Sequence, residues 1–169
     1  MLEIKHQALL AEAQRHGRPD LDGLRLCFQV LSLAAAIDGD CAARLAPHGL
    51  SEGRFMVLFL LRGAGEPLSP HQLAERAGVT RATITGLLDG LEREGLLERR
   101  ADGEDRRRVD VHLTVTGRRL ATRLFEQHTR WIASLFEGFS ATERRQLGTL
   151  LERIWHRTDL GAGQLEDGA

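Results

Sequence analysis

The chain has 169 residues, of which 42% are apolar and 28% charged, and its formal net charge is −1. This length suits one domain with extended arms. The near-neutral net charge excludes a positive electrostatic field over the whole protein, so nucleic-acid binding would need a local basic patch. The absence of an apolar run of about 18 residues predicts no membrane span. The charged N-terminus predicts no secretory signal, and two cysteines are too few for a disulfide framework, which indicates a reducing cytosol.

The sequence pattern of the N-terminal part of the chain predicts two helices. Residues 1–20 form an amphipathic helix that ends near Gly17 and Pro19. Residues 21–46 form a longer helix with two apolar stripes, made of Leu24, Phe28, Leu31 and Ala35 and of Leu26, Val30, Leu33 and Ile37. A helix that is apolar on both sides is buried on both sides. In so small a chain we expect a partner subunit to cover the second apolar stripe of this helix.

The middle of the chain predicts three short helices and a β-hairpin. Ser51, Ser69 (followed by Pro70) and Thr80 are typical helix caps. The apolar positions that follow two of these caps have helical spacing, namely Phe55, Leu58, Phe59 and Leu61, and then Ile84, Leu87, Leu88 and Leu91. Leu96–Arg100 and the alternating Val109–Leu113 predict two strands around an Asp102-Gly103 turn.

The C-terminal part predicts two helices and a tail. Thr116 is placed as the cap of a long helix that carries Leu120, Leu124, Trp131, Leu135 and Phe136. Ser140 and Glu143 have capping-box spacing and predict the start of a final helix. Residues 160–169 are Gly-rich and acidic, which predicts a disordered tail.

The region 69–114 carries the functional signal. Ala74, Gly78, Ile84 and Leu87 have the spacing of a helix-turn-helix, in which a small residue and a tight turn let two helices pack closely. A hairpin that follows at once makes this a winged helix. Five arginines and three acids between positions 99 and 108 give the hairpin tip a local net charge of +2. Such a tip suits phosphate contacts or insertion into the minor groove of DNA.

The wing pattern Asp105-x-Arg107-x-x-x-Val111-x-Leu113-Thr114, preceded by the helix segment Thr83–Leu96, resembles the MarR family of winged-helix regulators. The resemblance implies a mainly α fold with a small β-hairpin wing and a helical dimerisation lobe. Residues 1–48 and 116–159 would form that lobe, and residues 49–115 the DNA-binding lobe. It further implies a cytoplasmic homodimer, without enzymatic activity or cofactor, that binds a pseudo-palindromic operator and most often represses transcription.

Candidate DNA-binding residues follow from residue type and from the resemblance. At the start of the second helix, Thr80, Arg81, Thr83 and Thr85 are the candidates for contacts to bases and phosphates, and Ser69 offers a phosphate contact. The resemblance makes Arg107 the minor-groove arginine and Asp105 the acid that orients Arg107 or a neighbouring arginine. Phosphate contacts are assigned to Arg106 and Arg108.

Two glycines on the second helix depart from the family pattern. Gly86 and Gly90 each weaken the helix, and Gly90 stands where relatives often carry a basic residue. Loss of a phosphate contact at position 90 would lower non-specific affinity. Gly86 could instead let the helix lie closer to DNA, and the sequence leaves these alternatives open.

The resemblance also implies release by a small-molecule effector, often aromatic or anionic, bound between the two lobes. Candidate pocket residues are Phe28, His48, Arg54 and Trp131. Such a ligand changes DNA affinity only through its different affinities for the two dimer states.

Four other functions can be weighed from the residues. Cys27 and Cys41 would suit a redox sensor; about 21 Å of continuous helix between them excludes an intrachain disulfide but leaves a disulfide between two subunits open. Asp38, Asp40, Cys41 and His48 fit no metal-site spacing, so no metal is expected. Gly49-x-Ser51-x-Gly53 matches a nucleophile elbow but lacks the strand and sheet that an elbow requires, so no enzyme is expected. A winged helix used only for protein assembly is a further alternative beside the redox sensor.

Overall fold

The computed structural model describes residues 2–101 and 109–159, and it confirms a mainly α-helical fold with a two-stranded hairpin. In chain order the elements are α1 Ile4–Arg15, α2 Leu21–Leu45, a 3-10 turn Ala46–His48, α3 Glu52–Ala64, α4 Pro70–Ala77, α5 Arg81–Arg93, β1 Leu97–Ala101, β2 Val109–Leu113, α6 Val115–Ser134 and α7 Ala141–Trp155. The chain divides into a first unit, residues 1–124, and a second unit, residues 125–169. The boundary falls within α6. The predicted disordered tail, 160–169, lies outside the described residues.

The core of the first unit lies beneath the helix-turn-helix and the hairpin. Leu58 of α3, Leu73 of α4, Leu88 of α5 and Val111 of β2 are completely buried together. The predicted apolar face of α3 is confirmed at Phe55, Leu58 and Leu61, which are buried. Phe59 differs, because it is 36% exposed, and Val57 takes its place in the core.

Side-chain caps fix the helix starts at four of the predicted positions. The hydroxyl oxygens of Ser51, Ser69, Thr80 and Ser140 each accept a backbone N–H from the first turn of the helix that follows. The predicted cap at Thr116 is wrong. Thr114 Oγ1 accepts the N–H of Gly117 at 3.0 Å and donates to the carbonyl of Gly95 at 2.7 Å. The reason is that β2 runs directly into α6, leaving the residue after Leu113 as the cap.

The start of α6 lies tightly against the turn that follows α5. A Cβ at Gly117 would lie 1.8 Å from the carbonyl oxygen of Leu96, which itself accepts the N–H of Thr114 at 3.1 Å. Only glycine permits this approach. The hairpin is therefore held at its base by both α5 and α6.

Helix α2 keeps most of its apolar surface exposed in the single chain. Of its residues only Ser32 and Leu45 are buried, whereas Leu26 is 60% and Leu33 is 52% exposed. The prediction of burial on both sides is therefore not met within one chain. By length and composition alone, Leu21–His48 could also cross a membrane. The sequence-based expectation of no span required an uninterrupted apolar run, and this segment contains isolated charges such as Asp38.

Helix α1 packs on α2 through a buried histidine that the sequence did not single out. His6 Nδ1 lies 3.0 Å from the hydroxyl of Ser32, and its ring stacks on Phe28 with 4.6 Å between centroids. Phe28, a candidate pocket residue, is thus engaged with α1. Asp20, in the left-handed region at φ 58°, caps α2 by accepting the N–H of Gly23 at 2.9 Å.

The second unit contains the end of α6 and the whole of α7. No residue of α7 is buried, although Leu150, Leu151 and Ile154 lie on it. An apolar groove of about 380 Å³ runs between these helices, lined by Ile132, Ala133, Phe136, Arg144, Leu147, Gly148 and Leu151. Trp131 is buried and lies 5.0 Å from the ring of His128.

Candidate nucleic-acid interface

The helix-turn-helix predicted from four residue positions is formed by α4 and α5. Gly78 adopts φ 64°, a conformation that glycine enters without strain, and the next N–H, of Val79, donates to the carbonyl of Ala74 at 3.0 Å. Ile84 is buried against α4, and Leu87 is partly buried. These contacts fix the start of α5 at the surface of the first unit.

The outer face of α5 is exposed from its first turn. Arg81, Thr83, Thr85 and Gly86 are exposed, while Ile84, Leu88 and Leu91 are buried on the opposite face. A Cβ at Gly86 would meet no atom of the chain within 4 Å. The helix therefore presents a polar surface with a bare stretch of backbone in its middle.

The threonine hydroxyls on this surface already have partners within the chain. Thr80 Oγ1 accepts the N–H of Thr83 at 3.2 Å, and the two hydroxyls lie 2.9 Å apart. Thr85 Oγ1 donates to the carbonyl of Arg81 at 2.8 Å. In this arrangement Thr85 presents lone pairs to a ligand, so the donor predicted from its residue type becomes available only if the hydroxyl rotates.

Arg81 projects beside a shallow cavity of about 400 Å³ between α4 and α5, lined by Pro70, His71, Arg81, Ile84 and Thr85. Its Nη2 atom lies 3.5 Å from Nδ1 of His71, and Nε2 of His71 lies 3.3 Å from Glu75. Sequence reasoning missed His71, which the first turn of α4 places against α5. Ser69 is half-buried, and its hydroxyl accepts the N–H of Gln72 at 3.3 Å as part of a capping box.

The hairpin is joined to α5 and to the segment that precedes α4. Val111 donates its N–H to the carbonyl of Leu68 at 2.9 Å, next to the start of α4. The guanidinium of Arg99 lies 2.7 Å from Asp89 and 2.8 Å from Glu92 on α5. The predicted wing-tip residues Asp105, Arg106, Arg107 and Arg108 lie outside the described residues.

The two unusual glycines of α5 have different surroundings. Gly86 is exposed, whereas Gly90 is buried beneath the guanidinium of Arg54. Arg54 donates to Glu94 at 2.6 Å and to the carbonyl of Gly49 at 3.3 Å. Arg54, a candidate pocket residue, is thus engaged with α5.

A cavity of about 540 Å³ lies between the 3-10 turn and the start of α6. Its lining consists of His48, Thr116, Arg119, Leu120 and Arg123, and it includes no carboxylate. Of the predicted pocket residues His48 lines this cavity. Phe28 and Arg54 do not, and Trp131 belongs to the second unit.

The two cysteines differ in their surroundings. Burial raises the pKa of the Cys41 thiol to about 11, with further contributions from its hydrogen bond to Glu52 and from the charges of Glu52 and Asp38. A protonated thiol is a poor nucleophile, so this raised pKa slows reactions of Cys41 that require the thiolate. Cys27 is exposed in the single chain. Across residues 2–101 and 109–159 there is no group of three or more side chains placed to hold a metal ion.

Comparison with known proteins agrees with this architecture. Residues 48–108 match the MarR family. The chain is 35% identical over 162 residues to the HTH-type transcriptional repressor YetL of Bacillus subtilis, covering 90% of this chain and 97% of that protein. It is 33% identical over 149 residues to the HTH-type transcriptional regulator PecS of Dickeya dadantii, covering 86% and 90%. The fold is similar to that of Streptococcus pneumoniae FabT in complex with DNA, with a TM-score of 0.70 and 24% identity over 86% of this chain and 98% of FabT.

The protein is a winged-helix transcriptional regulator and belongs to the MarR family. Members of this family are DNA-binding proteins without enzymatic activity. Ser51, which stands in the elbow-like string, accordingly serves as the cap of α3, accepting the N–H of Arg54 at 3.4 Å.

Proposed function

We propose that the chain is a sequence-specific repressor that binds a pseudo-palindromic operator as a homodimer. The observation that carries this proposal is the exposed polar start of α5, where Arg81, Thr83 and Thr85 lie beside a bare backbone at Gly86. A helix of this kind enters the major groove with its N-terminal residues on the base edges. Repression is supported by the similarity to YetL, a repressor.

Each part of the winged helix then has a separate role in DNA binding. Arg81 and the threonines contact bases and phosphates, and the N-terminus of α4 at Ser69 faces a phosphate. Arg107, with Asp105 to orient it, enters the minor groove, while Arg106 and Arg108 contact phosphates. The comparison structure of FabT, solved in complex with DNA, has the same fold.

The homodimer is supported by the apolar surface that a single chain leaves exposed. Leu26 and Leu33 on α2, and Leu150 and Ile154 on α7, are each more than half exposed. Exposed apolar surface of this extent is typical of an association surface. Two chains related by a two-fold axis would place their α5 helices in successive major grooves about 34–36 Å apart. Covering α2 in this way accounts for its apolar composition in a cytoplasmic protein.

Fluorescence anisotropy tests the DNA-binding proposal directly. The protein is titrated onto DNA from upstream of its own gene and onto a scrambled duplex, at several salt concentrations, as wild type and as Arg107→Ala. We expect tight, salt-sensitive binding to the native sequence that Arg107→Ala weakens. Equal curves for the wild type and Arg107→Ala would instead support the assembly-module alternative.

The effector proposed for this regulator is a small organic anion, held in the cavity beside the 3-10 turn. Arg119 and Arg123 supply guanidinium groups that suit a carboxylate, and His48 supplies a further donor. Leu120 offers an apolar contact for an aromatic ring. Bound there, the ligand contacts both the 3-10 turn and α6, and it releases DNA only if it prefers the free form of the dimer.

Benzoate and its uncharged analogue benzyl alcohol provide the test for this site. We expect millimolar benzoate to release the operator complex and benzyl alcohol to leave it intact. The double variant Arg119→Gln/Arg123→Gln should lose the benzoate response, whereas Arg130→Gln, whose side chain donates to the carbonyl of Glu126 at 3.1 Å, should retain it. An unchanged response in the double variant would rule out this cavity as the benzoate site.

A further inference from the structure

The guanidinium of Arg54 connects three parts of the first unit. From the first turn of α3, its Nη1 atom donates to Oε1 of Glu94 at 2.6 Å and to the carbonyl of Gly49 at 3.3 Å. Glu94 is the C-terminal cap of α5, and Gly49 ends the 3-10 turn. Only a quarter of the Arg54 side chain is exposed. One side chain thus ties the end of α5 to the turn that precedes α3.

The fit between Arg54 and α5 depends on glycine at position 90. A Cβ at Gly90 would lie 2.3 Å from Nη2 of Arg54 and 2.9 Å from its Cζ, so the guanidinium lies flat against the backbone of the helix. Glycine is unfavourable inside a helix. Its presence here is accounted for by the space that the guanidinium occupies.

The neighbouring residue on α3 approaches the same flank of α5. A Cβ at Gly53 would lie 3.2 Å from a methyl group of Leu87. On a helical wheel Leu87, Gly90 and Glu94 share the flank that separates the buried face, with Ile84 and Leu88, from the exposed face. On the other flank Arg99 binds Asp89 and Glu92. An arginine therefore holds each side of α5.

We infer that Arg54 is a positioning residue that fixes the rotation of α5, and hence which side chains face the bases. The inference rests on the proposed DNA-binding function, but it assigns Arg54 no contact with DNA. Loss of Arg54 would let the helix roll, which changes base contacts more than phosphate contacts. The change should therefore appear in sequence discrimination, with little effect on the number of phosphates neutralised.

Operator and scrambled DNA provide the test, each titrated over a range of salt concentrations. We expect Arg54→Ala to lower the ratio of operator to scrambled affinity about tenfold with an unchanged salt slope. Gly90→Ala should lower this ratio by a similar factor in the wild-type protein, because the added methyl group displaces the guanidinium of Arg54. In the Arg54→Ala background Gly90→Ala should not lower the ratio any further. Arg62→Ala, at the other end of α3 where the side chain donates to Thr122 at 3.2 Å, is the matched control and should leave the ratio unchanged.

Two DNA-binding results and one hydrogen-exchange result would overturn the inference. If Arg54→Ala weakens both DNAs equally and reduces the salt slope by about one, Arg54 is a phosphate contact. If the ratio is unchanged, α5 does not depend on Arg54. Amide hydrogen exchange of residues 81–93 in free protein gives a readout that is independent of DNA. Faster exchange in Arg54→Ala than in Arg62→Ala supports the inference, and equal exchange contradicts it. Wild-type protein that does not discriminate the two DNAs would count against the proposed function alone.

Discussion

Arg99 and Glu92 are joined by two hydrogen bonds across the turn between α5 and β1. The backbone N–H of Arg99 donates to Oε1 of Glu92 at 3.0 Å, and its guanidinium donates to Oε2 at 2.8 Å. Both residues are partly buried, and the same guanidinium reaches Asp89 at 2.7 Å. This pairing fixes the direction in which β1 leaves α5.

Glu92→Ala should therefore affect both stability and DNA binding. We expect the free energy of unfolding to fall by about 1 kcal/mol, because the variant leaves the N–H of Arg99 without its acceptor. Operator affinity should fall as well, because the hairpin is less firmly oriented. Urea denaturation and anisotropy measure the two effects. Glu98→Ala removes the ion pair of Glu98 with Arg100, which is solvent-exposed, and serves as control with an expected loss below about 0.5 kcal/mol. Equal losses in the two variants would contradict this role for Glu92.

Gly86→Ala separates helix stability from the approach to DNA. Because nothing in the chain lies within 4 Å of the added methyl group, we expect stability to rise by about 1 kcal/mol. We expect operator affinity to fall several-fold, because the methyl group stands on the surface that we propose to enter the major groove. Gly63→Ala on α3, where the space is also open, should affect stability alone. Unchanged operator affinity in Gly86→Ala would show that DNA does not approach this backbone closely.

The thiol of Cys41 gives a pH-dependent prediction. Its pKa of about 11 in the fold lies above the usual value, so the unfolded chain loses this proton first as the pH rises. The contribution of Cys41 to stability is therefore fully present below about pH 8.5 and is lost between about pH 9 and pH 11. In a Cys27→Ser background, alkylation by iodoacetamide should be slow at pH 8 and should accelerate towards pH 11.

Glu52→Gln provides the control for this thiol. The change removes a negative charge that raises the pKa of Cys41, so alkylation should become faster at lower pH. Rapid alkylation of Cys41 at pH 7 in the folded Cys27→Ser protein would contradict the raised pKa and would favour the redox-sensor alternative.

Leu150→Asp tests the association surface on α7. Leu150 is 52% exposed in the single chain, so a charged side chain at this position should lower the stability of the isolated chain only slightly. If this side chain lies in a dimer interface, the variant should be monomeric by light scattering and should bind a full palindrome poorly. Glu152→Asp, on the same helix, keeps its charge and should remain dimeric. If light scattering gives the mass of a dimer for Leu150→Asp, Leu150 lies outside the interface.

The order of the elements follows from local signals in the sequence. Caps such as Ser69 and Thr80, glycines with positive φ such as Gly78, and helical spacing around Leu88 are sufficient to predict the helix-turn-helix. These features act over a few residues, so the sequence displays them directly. Thr114 was missed as a cap because its role depends on the strand that precedes it.

The contacts that span long stretches of chain were beyond sequence-based prediction. Arg54 and Glu94 are 40 positions apart, and nothing in their spacing indicates that Arg54 covers Gly90. The burial of His6 likewise depends on Ser32, which lies 26 positions away. The basic lining at Arg119 and Arg123 is visible only once the 3-10 turn brings His48 beside α6.

In vitro selection from a random duplex library tests the central claim most directly, because it assumes no particular operator sequence. We predict enrichment of an inverted repeat whose half-sites are centred about one helical turn apart, with weaker enrichment by Arg81→Ala at the positions that α5 contacts. A library that stays random after repeated rounds, although the wild type binds DNA, would contradict sequence-specific recognition by this winged helix.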